Sequence, residues 1–115
     1  MHELSIAYSL IETAEAAAQE ANAQRVTSVH LRLGAMSGVV EDALRFGFDV
    51  AAQDTLLAEA RLDVEHLPVI IYCPQCDADV ELPSIQRFRC PVCDTPAERI
   101  IQGRELELTS IEIED

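Results

Sequence analysis

All four cysteines of this chain stand in two pairs, Cys73-Pro74-Gln75-Cys76 and Cys90-Pro91-Val92-Cys93, with thirteen residues between them. Two residues between paired cysteines let the backbone fold back so that both thiolates face one point. A second such pair completes the closed tetrahedral S₄ shell of structural zinc. The spacer is slightly shorter than the usual zinc template but accommodates two short strands and a turn. Two disulfides or two redox sites would use the same residues. A redox CxxC belongs at a strand–helix junction, and Pro83, Pro91 and Pro96 leave little room for a helix here. With no cysteine left over, the reading is one zinc held by Cys73, Cys76, Cys90 and Cys93. Pro74 and Pro91 occupy the same place in each pair, as in a duplicated turn.

A second chemistry-bearing stretch is Met1-His2-Glu3. A free α-amine, deprotonated backbone nitrogens and an imidazole at position 2 can meet one ion, and four nitrogens near a plane suit Ni(II) or Cu(II). The amine has a pKa of roughly 7.7–8, so binding would release protons and weaken in acid. Glu3 adds a carboxylate close by. A frayed terminus with an idle histidine fits the same three residues, and by themselves they leave both readings open.

The bulk numbers narrow the classes. At 115 residues and 49% hydrophobic, the chain is one domain, or one domain with a small appendage. A net charge of −13 argues against nucleic acid as a partner, because phosphate binding runs on Lys and Arg. It favours solubility and attraction to cations. No run of eighteen apolar residues is present, so no membrane span is expected. The start lacks a basic, then apolar, signal segment. Cysteines confined to a metal template fit a reducing cytosol, so a cytoplasmic protein is expected.

The elements that must position these residues follow from periodicity. From Leu4 to about Ala21, Leu4, Ala7, Ile11, Ala14, Ala18 and Ala21 form one apolar stripe of a helix. Val26 to Leu33 alternates with period two, as a half-buried strand does. A turn over Gly34–Gly38 leads to a second helix from about Val40 to Gln53, with Glu41 and Asp42 in its first turn, where carboxylates complement the helix dipole. Phe46 and Phe48 read as core or interface. Arg61 to His66 reads as a strand. Val69 to Tyr72 leads into the first cysteine pair, and short strands are expected at Val80–Leu82 and Gln86–Arg89. Gly103 marks a turn, and Glu105 to Glu114 is the last strand, with a change of phase across Thr109-Ser110 that reads as a β-bulge. His30 lies on the polar face of its strand, where a packed or solvated imidazole is the plain reading. His66 stands where the body meets the cysteine module and reads as a hinge residue.

In this order, Met-His-Glu at the start, the strand and turn Val29-His30-Leu31-Arg32-Leu33-Gly34-Ala35-Met36-Ser37-Gly38, the two CxxC pairs, and the closing Gly103-Arg104-Glu105-Leu106-Glu107-Leu108 resemble the HypA/HybF family, nickel metallochaperones of nickel–iron hydrogenase maturation. The resemblance covers the whole chain. It implies an α+β fold: a small mixed α/β nickel-binding domain of two helices and a three-stranded sheet (1–66 and 104–115), with an inserted zinc-ribbon-like domain (67–103). It implies that nickel is held by Met1, His2 and Glu3, and that an acidic residue after the Ser37-Gly38 turn, Glu41 or Asp42, approaches the nickel. An ordinary acidic helix start explains those two carboxylates equally well. The resemblance further implies delivery to the hydrogenase large subunit, with the GTPase HypB as a partner.

No Ser/His/Asp grouping and no phosphate-binding glycine loop is present, so no enzyme is expected. The competing readings are a zinc-ribbon adaptor for protein assembly and a thiol redox protein. The first predicts no nickel at the terminus; the second predicts reactive thiols without zinc.

Overall fold

Alanine-rich sequence with apolar residues every three or four positions makes α1 (Glu3–Glu20). Its buried face is Ala7, Leu10, Ile11, Ala14 and Ala18. Small side chains there let neighbouring backbone come close. The helix stops because Asn22 turns left-handed, at φ 57°, a conformation that asparagine tolerates, and Ala23 donates back to the Ala18 carbonyl. The computed structural model describes residues 2–115.

The elements that follow are β1 (Arg25–Gly34), α2 (Glu41–Ala52), β2 (Arg61–Leu67), β3 (Ile70–Cys73), β4 (Ala78–Glu81), β5 (Arg99–Gln102) and β6 (Leu106–Glu114). They form two three-stranded sheets, ordered β2-β1-β6 and β4-β3-β5. Two helices and a three-stranded sheet, with a second strand set carrying the cysteines, is the α+β architecture that the sequence implies.

Two compact units emerge. The first comprises the chain through Leu31, Val39–Val64 and Leu108–Asp115. Its core joins the α1 face to Val26, Val29 and Leu31 of β1, Leu44 and Phe48 of α2, Leu57, and Leu62 of β2. Gly47 marks the close approach of α2 to α1: a Cβ there would stand 3.3 Å from Leu4 Cα and 3.4 Å from Ala7 Cβ. Phe48 is 2% exposed and Phe46 73% exposed, so the two phenylalanines part company. In β6, Leu108 and Ile111 both pack against this core although they lie three residues apart, which strict alternation would forbid.

The second unit is Arg32–Gly38 with Glu65–Glu107. The segment after β1 belongs to it because that segment is tied to the return strand. Gly34 donates to the Glu105 carbonyl, Met36 to the Gly103 carbonyl and Ala35 to the Leu67 carbonyl. A Cβ on Gly34 would fall 2.2 Å from the Gly103 oxygen, so only glycine fits. A small core of Val69, Ile71 and Leu82, flanked by Met36, Val80, Ala97 and Ile100, holds the unit.

One strand expectation in this region needs correction. Gln86–Arg89 is not a strand; only Arg89 bridges, to Pro96. The Ser84 hydroxyl accepts the Gln86 N–H, and Arg87 and Arg89 turn towards Asp94. The third strand is instead Arg99–Gln102, paired antiparallel to β3 with Tyr72 opposite Arg99.

Candidate metal centre

The β3–β4 hairpin builds the first half of the cysteine site. Cys73 ends β3 opposite Ala78, so Cys76 falls in the turn between the strands. The Cys76 N–H points at Cys73 Sγ, 3.4 Å away. In the second half, Cys90 donates to the Thr95 carbonyl and Asp94 to the Cys90 carbonyl, both at 2.8 Å, which closes the same kind of tight loop.

The residue after each pair is an aspartate in the left-handed region, Asp77 at φ 51° and Asp94 at φ 60°. Each is anchored: the Tyr72 hydroxyl donates to Asp77 at 2.6 Å, and Arg87 and Arg89 both bind Asp94. These anchors were missed in reading the sequence. The signal was there, since both pairs read Cys-Pro-x-Cys-Asp, and aspartate is among the few residues that accept a positive φ.

All four cysteines are free thiols; Cys73 and Cys90 are buried, Cys76 and Cys93 exposed. Their sulfurs lie within 4.8 Å of one another. Cys73 to Cys93 is 3.4 Å, Cys76 to Cys93 is 3.6 Å and Cys76 to Cys90 is 3.9 Å. An ion with tetrahedral metal–sulfur bonds of about 2.3 Å requires sulfurs about 3.8 Å apart, so the donor set fits.

The thiols are not equivalent. The hydroxyl and N–H of Thr95 favour the thiolate of Cys93 and lower its pKa to about 6. Cys76, hydrogen-bonded first to Cys93 and then to Cys73, is pushed up to about 12. Cys93 thus ionises well before Cys76.

The amino-terminal residues are arranged differently. Met1 lies outside the described residues. His2 is exposed and stands at the N-cap of α1, its carbonyl accepting the Ile6 N–H. Glu3 is buried, 6% exposed, and its Oε2 accepts the Val40 N–H at 3.1 Å. That amide bond, with one to its own N–H, holds the Glu3 carboxyl below the usual range. The same contact brings the start of α1 to the start of α2. There Glu41 pairs with Arg45 at 2.8 Å, while Asp42 is exposed. Among the described residues, the cysteines are the one set of three or more ligand-type side chains close enough to share an ion; His2, Glu3, Glu41 and Asp42 do not converge in that way.

His30 is a packed strand residue, between Asp63 at 3.6 Å and Glu112 at 3.7 Å, with the Ser28 hydroxyl beside it. Asp63 is held low mainly by Arg61, and Glu112 mainly by Ser28. His66 is exposed.

Comparison with known proteins gives the family. A family model described as hydrogenase/urease nickel incorporation, metallochaperone, hypA matches residues 1–113. The chain is 56% identical to the hydrogenase maturation factor HypA of a Roseiflexus species, over 100% of this chain and 94% of that one. It is 53% identical to that of Chloroflexus aurantiacus, over 97% and 98%. Among solved structures it is similar to the solution structure of the nickel metallochaperone HypA from Helicobacter pylori, with a TM-score of 0.66 and 25% identity over 99% of this chain and 98% of that one. A second HypA solution structure gives a TM-score of 0.72 at 25% identity, over 98% and 96%. Whole-length matches of this kind, on a fold that gathers four cysteines around one point, establish that the chain belongs to the HypA family of hydrogenase and urease nickel-incorporation metallochaperones.

Proposed function

We propose that this protein carries Ni(II) at its amino terminus and passes it to the large subunit of a nickel–iron hydrogenase during maturation, working with the GTPase HypB in the cytoplasm. Zinc in the Cys73, Cys76, Cys90 and Cys93 shell is structural. The ligands offered to nickel are the α-amine of Met1, the backbone nitrogens of His2 and Glu3, and the His2 imidazole. Nitrogen donors of this type suit Ni(II).

The observation that carries the reading is the bond from the Val40 N–H to Glu3. It fixes residue 3 against a rigid helix start while His2, one residue earlier, stays exposed. A cargo site needs such an arrangement: an anchored base, and ligands that a recipient can reach. Glu3 serves as the anchor, through its side chain, and contributes its backbone nitrogen. Asp42, exposed in the adjoining first turn of α2, supplies a carboxylate two residues from that anchor point. Glu41 is the weaker candidate because Arg45 occupies it. Zinc, once bound, supplies a closed thiolate shell with no open position, so it fixes structure and offers no site for a substrate.

Metal analysis of untagged protein after nickel exposure tests this. It should return about one zinc and about one nickel per chain. Acetylation of the α-amine should remove the nickel and leave the zinc. Nickel retained in full by the acetylated form would overturn the proposal.

A further inference from the structure

Every positive charge on this chain is an arginine, eight in all, set against 21 carboxylates. With that excess each arginine should find a partner, and six do. Arg25 meets Glu59 and Glu114, Arg32 meets Glu65 and Glu107, Arg45 meets Glu41, and Arg61 meets Asp63. Arg87 and Arg89 share Asp94. Among the described residues, Arg99 and Arg104 are the two without a carboxylate at ion-pair distance.

These two line the same cleft. It has a volume of about 300 Å³ and is bounded by Phe88, Ala97, Glu98, Arg99, Ile100 and Arg104. Phe88 is 37% exposed at its edge. The surrounding stretch, residues 83–104, holds four arginines against Asp94 and Glu98, in a chain whose net charge is −13. Arg99 is also oriented in advance. It sits on β5 with its guanidinium over the Tyr72 ring, 4.9 Å from the centroid, and stacking leaves the N–H edge of the fork open to an acceptor.

We propose that this cleft is a docking site for an acidic, apolar peptide segment of a partner protein, its carboxylates on Arg99 and Arg104 and a neighbouring apolar side chain against Phe88 and Ile100. Charge complementarity selects the occupant. A second copy brings a net charge of −13 to a chain of the same sign. A nucleic acid brings a continuous phosphate backbone to a protein that offers it few cations. A short segment with two carboxylates needs only the cleft. Exposed arginine–carboxylate pairs are individually weak, so the contact is expected to be weak and salt-sensitive. Glu98, on the same wall, opposes the ligand and sets which end of the cleft the carboxylates take. This inference does not depend on the nickel reading.

The test uses the full-length, zinc-loaded protein and fluorescence anisotropy. The probe is a short peptide of alternating glutamate and leucine carrying a neutral dye; its reference replaces glutamate by glutamine. The glutamate peptide should bind tighter, and its advantage should shrink as salt is raised from about 20 to about 150 mM. Arg104→Gln and Arg99→Gln should each weaken it roughly threefold, and Glu98→Gln should tighten it. Phe88→Ala should weaken both peptides. Arg25→Gln, which removes the same charge elsewhere, should change nothing. Arg99→Gln also loses the Tyr72 stack, so Arg104→Gln, which breaks no bond in the protein, decides. Equal binding of the two peptides, or no effect of Arg104→Gln, would overturn the proposal. So would tighter binding of a single-stranded thymidine oligonucleotide through the same arginines, or self-association by sedimentation that Arg104→Gln abolishes.

Discussion

The Glu3 carboxylate accepts the backbone N–H of Val40, 37 residues away, at the N-cap of α2. One side chain thus caps a helix to which it does not belong. Val40 has no polar side chain to do the job itself, and no other cap is made by its side chain. Glu3→Ala should lower the melting temperature by more than Glu3→Gln, because glutamine keeps an acceptor for the amide.

The same bond gives an acid signature. The Glu3 pKa lies below its ordinary 4.5 in the folded protein, so its contribution is fully present above about 4.5 and is lost as pH falls through the lower, folded value. The Glu3→Gln form should show a flatter fall of stability over that window. Parallel urea midpoints of the two proteins below pH 5 would disprove the coupling.

Removing a cysteine should unfold the cysteine-bearing unit and spare the other. Cys73→Ser or Cys93→Ser should lose zinc and the amide protection of residues of about 67–103, while α1 remains protected. A segment of roughly forty residues buries too little apolar surface to fold without a metal. Native hydrogen exchange throughout that segment in metal-free protein would show that zinc is not structural.

Zinc uptake should also depend on pH through Cys93. Its pKa is about 6. Above that value this sulfur is already a thiolate in the free protein; below it, one further proton must leave for each ion bound. A plot of log affinity against pH should therefore steepen by about one as pH falls through about 6. A slope that stays constant across pH 6 would show that Cys93 does not ionise there.

His2→Ala should abolish high-affinity nickel binding and leave the fold intact, since the exposed imidazole makes no side-chain cap to α1. Hydrogenase maturation at limiting nickel should fail in cells carrying this form. Full maturation with about one nickel still bound per chain would shift attention to Asp42 and His66.

Much of this was legible in the sequence, for reasons that differ from place to place. The cysteine shell was legible because a metal site is written in residue type and spacing, which are one-dimensional. Helix α1 and strand β1 were legible because their periods repeat over enough residues to exceed chance. Phe46 and Phe48 were not separable: both sit in one helix, and only the packing of α1 at Gly47 decides which ring is covered. Phe48→Ala should accordingly cost about 3–5 kcal/mol and Phe46→Ala little. The strand at Arg99–Gln102 was missed because four residues are too few to show a period, and its pairing with β3 is a long-range contact. The Glu3 cap was unreadable for the same reason.

Asp77 and Asp94 occupy equivalent corners of the cysteine shell but are fastened by different means, one by a phenol and one by two guanidiniums. A repeated motif with unequal fasteners has a preferred order of opening. Charge-assisted pairs on an exposed surface yield to ionic strength, whereas a neutral donor to a carboxylate yields less. Stripped by a chelator in concentrated salt, the Cys90–Cys93 half should let go first and leave the ion briefly on Cys73 and Cys76. Demetallation would then run through a half-shell intermediate in one direction only, and the hairpin that closes Cys73 on Cys76 would be the last part of the module to forget its shape.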